Sequence, residues 1–318
     1  MLLDTSTLVT DVNAAATGNA GDAVRLGPSA AGATESWALV SGEARWEAQR
    51  CTAAGPQIIA VTSGKGGVGK SNIAAGLSIL LAAAGTRVAL VDADLGLGNL
   101  DVLLGVGGGP TLSDVLAERK SLREVLRALP CGVSLAAGGS GPVAYGPTGG
   151  RRVLLDAIAG ARQDHDVVIL DCGSGLGDGV MDFCWLADHV LVVTTPEPTA
   201  LTDAYGMIKS LAAMGHPGRV SVLVNQACDQ GEAKRTYARV AGVSGQFLGR
   251  TVYEAGHVVA DPKVPRAVRR RMPFVLAYPR CPASRCLTAL AVKLRPRQVA
   301  GRDDRPAGLL RRVLRWLD

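Results

Sequence analysis

The sequence predicts an α/β protein with a doubly wound, mostly parallel sheet. Short apolar runs rich in Val, Ile and Leu recur at 57–62, 87–92, 166–171, 189–194 and 219–224. Each is about the length of a strand buried on both faces, and each ends at or just before a polar residue. Helical stretches follow them at 72–81, 152–163 and 199–214, as parallel crossovers require. Between the first strand and the first helix lies Ser63-Gly64-Lys65-Gly66-Gly67-Val68-Gly69-Lys70-Ser71, a glycine-rich loop ending in Gly-Lys-Ser.

That loop carries the chemistry. The run 57–62 is short and β-branched, and 72–81 has no proline to break a helix. Gly64, Gly66, Gly67, Val68 and Gly69 can curl so that successive N–H groups point inward at a helix N-terminus, where phosphate is favoured. Lys70 then reaches the β- and γ-phosphates, the Ser71 hydroxyl completes a Mg²⁺ shell, and Asn72 opens the helix. Strand, loop, Gly-Lys-Ser and helix in this order are the context of a phosphate-binding P-loop. Lys65 is a second lysine that this chemistry does not need. Alone, it reads equally well as a solvated surface charge.

The strand 87–92 delivers Asp92 and Asp94 at its C-terminal end, where open α/β sheets place their sites. Two carboxylates beside a phosphate repel it unless a Mg²⁺ and an attacking water stand between them. The surrounding Leu95, Leu97 and Leu100 make a merely solvated acidic turn the weaker reading. Next come amphipathic helical patterns over 111–118 and 121–129, a brief strand at 133–136 and a glycine-rich loop over 138–150. The strand 166–171 ends at Asp171, placed to hold Mg²⁺ through water, and Cys172-Gly173-Ser174-Gly175 follows. After the strand 189–194, Thr199 is expected to cap a helix running to Met214. The strand 219–224 ends at Asn225, whose amide offers both a donor and an acceptor.

Composition narrows the function classes. Of 318 residues, 47% are apolar and only 19% charged, which suits a well-buried α/β domain. Aromatics at 4% are too few for base-stacking platforms, so specific nucleic-acid binding is not expected. The seven cysteines are scattered and odd in number, and Asp4 stands where a signal peptide would carry basic residues. Reduced thiols in a cytoplasmic protein are therefore expected. Cys281 and Cys286 are spaced C-x4-C, not the C-x2-C of a metal-binding pair. No run of 18 apolar residues is present. The formal charge of +6 is uneven: from Lys263 onward 15 Lys and Arg face three Asp, so the rest of the chain carries −6.

The organisation expected is an N-terminal extension over 1–55, largely disordered with a short helix at 43–50, then an ATPase domain over 56–294. A linker at 295–306 and an amphipathic helix at 307–318 complete it. In the last segment Leu309, Leu310, Val313, Leu314, Trp316 and Leu317 share one face of about 160°. Arg311, Arg312 and Arg315 lie opposite. That pattern suits an anchor lying in an anionic membrane surface, although docking on the domain itself would produce it too.

Gly64-Lys65-Gly66-Gly67-Val68-Gly69-Lys70-Ser71 resembles the deviant Walker A motif of the MinD/ParA family of dimerising P-loop ATPases. The resemblance implies a MinD-like fold, ATP with Mg²⁺, and an ATP-bound homodimer in which Lys65 crosses to the partner's nucleotide. Asp92-Ala93-Asp94-Leu95-Gly96-Leu97-Gly98-Asn99-Leu100-Asp101 and Thr194-Thr195-Pro196-Glu197-Pro198-Thr199-Ala200 are more similar to the flagellar-number regulators of the FlhG/FleN type. By that likeness Asp94 positions the hydrolytic water, Asp92 assists at the Mg²⁺ shell and Asn225 contacts the adenine edge. Phe247-Leu248-Gly249, Asp261-Pro262-Lys263-Val264, Ala267-Val268-Arg269 and Pro273-Phe274 continue the likeness, which extends over roughly 57–294. It implies flagellar regulators or basal-body proteins as partners, and attachment to the inner face of the cell membrane in the ATP state. A division-site regulator of the MinD type and a ParA-type cargo partitioner share the chemistry. An iron–sulfur carrier would need the absent C-x2-C, and a non-hydrolysing scaffold would not need Asp94. The FlhG motif D-Q-A-x-x-L-R, which engages a partner GTPase, has no match at 43–50.

Overall fold

The structure, a computed structural model, describes residues 56–139 and 149–296. The helix expected at 43–50, most of the 138–150 loop, the linker beyond Pro296 and the helix expected at 307–318 lie outside the described residues.

The apolar runs form one eight-stranded sheet. Its strands are β1 (Gln57–Ser63), β2 (Val88–Ala93), β3 (Arg127–Ala128), β4 (Val133–Ala136), β5 (Val167–Ser174), β6 (His189–Thr194), β7 (Arg219–Ala227) and β8 (Tyr253–Val259). They lie in the order β3-β4-β2-β5-β1-β6-β7-β8. Every neighbouring pair is parallel except β3 with β4. The fold is thus doubly wound about β1, as expected.

Period-two alternation divides the core. Ile59 and Val61 join the apolar layer on one face of the sheet, and Ile58 and Ala60 join the layer on the other. The first face is covered by α1 (Lys70–Ala83), and late in the chain by α10 (Phe274–Ala277) and α11 (Pro282–Leu294). The second face holds α3 (Leu112–Leu116), α4 (Leu122–Val125), α5 (Gly150–Gly160), α6 (Asp178–Leu186), α7 (Pro198–Ala213) and α8 (Gln230–Leu248). Two short helices near the sheet's C-terminal edge, α2 (Leu100–Leu103) and α9 (Lys263–Arg269), complete the set.

The P-loop helix α1 is buried on almost every side from Ile73 to Leu81, because sheet and α11 enclose it. Its uniformly apolar sequence therefore has no amphipathic period to read. Gly76 lets the two helices approach: a Cβ there would stand 2.6 Å from Leu287 Cδ2 and 3.3 Å from Val275 Cγ1.

Several elements differ from expectation. The pattern at 121–129 stops being a helix at Val125, because Arg127 and Ala128 turn back to pair with Leu135 and Ser134. Thr199 is not the cap of α7: Glu197 is the cap residue and Pro198 occupies the first turn, where a missing N–H costs nothing. Helices α6, α8 and α11 and strand β8 carry no clear signal of their own in the sequence. α8 is polar on its outer side and interrupted by Gly242 and Gly245, and only Ala233, Thr236, Val240 and Ser244 are buried.

Overpacking at the α1–α11 contact tests this arrangement. Gly76→Val should lower stability by about 1–3 kcal/mol in urea unfolding, with an unchanged slope.

Candidate nucleotide site

β1 leaves the sheet at a register shift between Val61 and Ser63, which frees the following backbone to curl. Ser63 Oγ donates to the Lys65 carbonyl at 2.6 Å and fixes the first bend. Gly69 is the cap of α1 with φ +94, a conformation that costs glycine nothing. A side chain at Gly69 would also collide with Asn225, whose Nδ2 would lie 2.5 Å from its Cβ. Asn225 sits within β7, and its Nδ2 donates to the Val68 carbonyl at 2.7 Å, tying the loop to the sheet. A Cβ at Gly64 would run into the backbone carbonyl of Asp203 in α7. Lys70 and Ser71 open α1, with Asn72 beside them and Gly66 and Gly67 exposed at the rim.

Three strand ends bring the carboxylates together. Register places Asp92 of β2 beside Asp171 of β5, and Val61 of β1 on the other side of Asp171. The Ser71 hydroxyl bonds the Asp171 carboxylate, and burial pushes this acid up to about 7. The Oδ1 atom of Asp171 is buried with no hydrogen-bond partner among the described residues. Burial likewise pushes Asp92 up to about 6. Lys70 is held below the usual ammonium range by burial, opposed by Asp171 and then by Asp94. A buried carboxylate oxygen without a donor, next to a serine hydroxyl, is a hard-oxygen set that fits Mg²⁺.

Asp92 is also occupied with the backbone. Its Oδ2 accepts from Leu100 N at 3.1 Å and its Oδ1 from Asp94 N at 3.4 Å, so it binds both ends of the loop 94–99. Gly138 packs against that loop: a Cβ there would lie 2.9 Å from the Asp92 carbonyl oxygen and 3.3 Å from that of Asp94. The Asp94 carboxylate faces Gly173, whose Cβ would stand 3.6 Å from its Oδ1. The structure therefore gathers Lys70, Ser71, Asp92, Asp94 and Asp171 about one point at the C-terminal edge of the sheet.

Lys65 points elsewhere in its own chain. Its Nζ donates to Glu197 Oε2 at 2.7 Å and to Thr199 Oγ1 at 3.0 Å. Sequence reasoning missed Glu197 and this use of Thr199. The available signal was a carboxylate and a hydroxyl two residues apart at the start of a helix after a strand end.

A glycine-rich loop bent over a helix N-terminus, with its lysine beside strand-end carboxylates, defines a P-loop nucleotide-binding protein. The ParA family model, described as a NUBPL iron-transfer P-loop NTPase, matches residues 56–295. The antiactivator FleN of Pseudomonas aeruginosa is 39% identical over 240 residues, which are 75% of this chain and 86% of FleN. The flagellum site-determining protein YlxH of Helicobacter pylori is 33% identical over 68% of this chain and 74% of its own length. Among solved structures, the cell-division ATPase MinD of Pyrococcus furiosus superposes with a TM-score of 0.64 at 24% identity, over 75% of this chain and 98% of that one. The chain belongs to the ParA/MinD family of P-loop NTPases. Iron transfer belongs to the family description, whereas Cys281 here is buried and caps α11, its Sγ accepting from Ser284 N at 3.4 Å.

The Asp171 environment has a consequence for stability. Its folded pKa lies above the unfolded carboxylate value, so the native state holds an extra proton between about pH 4 and 7. Stability of the nucleotide-free protein with chelator present should therefore fall as pH rises through that window. Asp171→Asn should flatten the slope and raise the melting temperature above that of the parent at pH 8, with the difference shrinking toward pH 5.

Proposed function

We propose that this protein is an ATP-dependent, dimerising and slowly hydrolysing ATPase that regulates flagellar number or placement and associates reversibly with membrane. The observation that carries the chemistry is the convergence of Lys70, Ser71, Asp94 and Asp171 on one point beneath a two-lysine P-loop. The client class is supported by the identity to FleN across 86% of that protein and by the flagellar relative from Helicobacter. MinD relatives match at lower identity, as with the Bacillus subtilis protein at 36% over 46% of the chain and the putative septum site-determining protein of Oltmannsiellopsis viridis at 32% over 78% of it.

In this reading the backbone N–H groups from Gly64 to Gly69 and the Lys70 ammonium hold the β- and γ-phosphates. Ser71 and Asp171 hold Mg²⁺, a choice supported by the Mg-ADP bound to the septum protein MinD of Pyrococcus horikoshii. The ion offsets phosphate charge and so lets these carboxylates stand nearby. Asp94 orients the attacking water, while Asp92 sets the loop that carries Asp94 and would assist in holding Mg²⁺. Asn225 keeps the P-loop in register and presents its remaining polar atoms toward the base. Lys65 leaves Glu197 and Thr199 to reach the nucleotide of a second copy. The segment Leu309–Leu317 supplies the membrane contact, and two copies in a dimer bind with the avidity that one lacks. Attachment to the inner face of the cell membrane then depends on ATP.

Variants separate these roles. Lys70→Ala should abolish hydrolysis and most ATP binding, because Lys65 of the same copy is held at Glu197 and Thr199 and does not replace it at the β- and γ-phosphates. Asp94→Ala should accumulate as a dimer with ATP and Mg²⁺ in size-exclusion chromatography while phosphate release falls at least about 100-fold. Lys65→Ala should stay monomeric under the same conditions. A monomeric Asp94→Ala protein, at concentrations where the parent dimerises, contradicts the assignment.

In liposome sedimentation, the parent should bind anionic vesicles with ATP and much less with ADP. Leu314→Glu/Trp316→Glu should lose that binding and keep ATP-dependent dimerisation.

A further inference from the structure

Between Pro262 and Pro296 the chain has nine Lys and Arg and no acidic residue. The structure sorts them. Lys263, Arg266, Arg269, Arg270 and Arg271 lie on and just after α9, and all five are exposed. Among the described residues, none of the five is in an ion pair. Lys263 instead lies over the Tyr278 ring, 5.9 Å from its centre. Apolar side chains stand uncovered in the same stretch, with Val268 39% and Met272 41% exposed.

This face adjoins the nucleotide site. A Cβ at Gly105 would lie 3.2 Å from the Arg271 carbonyl oxygen, so the chain leaving α2 packs against the end of the basic stretch. Val102 of α2 is itself 49% exposed. α2 begins at Leu100, whose N–H is held by Asp92, and so the face is joined through α2 to the loop bearing Asp94.

Five like charges on about ten residues repel one another, and a binding partner with carboxylates would offset that cost. Guanidinium groups take carboxylates in paired hydrogen bonds, and arginine beside partly exposed aliphatic side chains is the composition of a protein interface. Phosphate backbones would use the arginines but leave Val268, Met272 and Val102 uncovered. A lipid surface calls for a protruding aromatic or apolar wedge, whereas Val268, Met272 and Val102 are isolated aliphatic side chains on two short helices and the turn after α9.

We propose that α9 and the adjoining α2 form a docking surface for an acidic, apolar-bearing segment of a partner protein. A short peptide alternating Glu with Leu and Phe, labelled with fluorescein, is the probe, and the full-length protein is titrated into it. Polyglutamate of equal charge, a 20-base-pair DNA duplex and phosphatidylglycerol vesicles are the comparison ligands. Binding of the peptide should exceed that of polyglutamate by at least tenfold and weaken with added salt. Arg269→Glu/Arg270→Glu and Val268→Ser/Met272→Ser should each weaken it at least tenfold, with circular dichroism and melting temperature close to those of the parent. DNA or vesicle binding that the arginine pair abolishes and the serine pair leaves intact, together with equal binding of the two peptides, would overturn the assignment in favour of a phosphate surface. Failure of the peptide to bind would overturn it outright.

Discussion

The burial of Asp171 against Lys70 is the interaction on which the rest of the site depends. A strand-end carboxylate is taken out of water and given a serine hydroxyl, while its second oxygen has no donor. In the nucleotide-free protein this is costly, and the cost appears as a carboxylate that resists ionisation and a lysine held below its usual range. The surroundings supply the rigidity that keeps these groups in place. β5 lies between β1 and β2, so the backbones on both sides of Asp171 are fixed by ladder hydrogen bonds. α1, closed in by the sheet and α11, holds Lys70 and Ser71 from the third direction. A cation and a phosphate would complete a set that the fold leaves electrostatically unfinished.

The loop after β2 follows from the same arrangement at one remove. Asp92 stands beside Asp171 in the sheet but spends both oxygens on backbone N–H groups, those of Asp94 and Leu100. A charge change at Asp171 is thus felt by the residue that shapes the Asp94 loop. Through Leu100 the constraint extends to α2, and through Gly105 to the stretch after α9. The basic face and the nucleotide site are accordingly parts of one packed edge of the sheet.

How legible this was from sequence varied with the physics of each element. Strands buried on both faces are written as dense apolar runs, and β1, β2, β5, β6 and β7 were plain from that alone. The P-loop residues were plain because glycine, lysine and serine at fixed spacing have few other uses. β8 was not, since Tyr253, Glu254 and His257 leave an edge strand of mixed character that is only partly buried. α8 buries a narrow face that is half polar, Ala233, Thr236, Val240 and Ser244, so its periodicity is diluted, and in α11 the exposed Ala289 and Val292 blur the spacing of Ala283, Leu287, Leu290 and Leu294. Asn225 was singled out by its place at a strand end, but its bond to Val68 depends on β7 lying one strand beyond β6, which itself pairs with β1, a topology that no local pattern encodes. Glu197 was invisible for the same reason: its importance comes from Lys65, 132 residues earlier.

That last pair also bears on the proposed passage of Lys65 to a second copy. Lys65 and Glu197 keep side-chain exposures of 37% and 62%, so their bond forms in contact with water. An ion pair of that kind contributes about 0–1 kcal/mol, and the extra bond to Thr199 adds little more in solvent. It is strong enough to give the lysine a resting place and weak enough to be exchanged. In the proposed dimer, a triphosphate presented by a second copy would carry several negative charges into a drier setting, where Coulomb attraction is several-fold larger. Lys70, by contrast, opens α1 partly buried beside the Asp171 and Asp94 carboxylates. The two lysines of the loop thus differ in what holds them, not in type: one is fixed by burial at the chemistry, and the other is tethered at the rim by a bond that a better anion can replace.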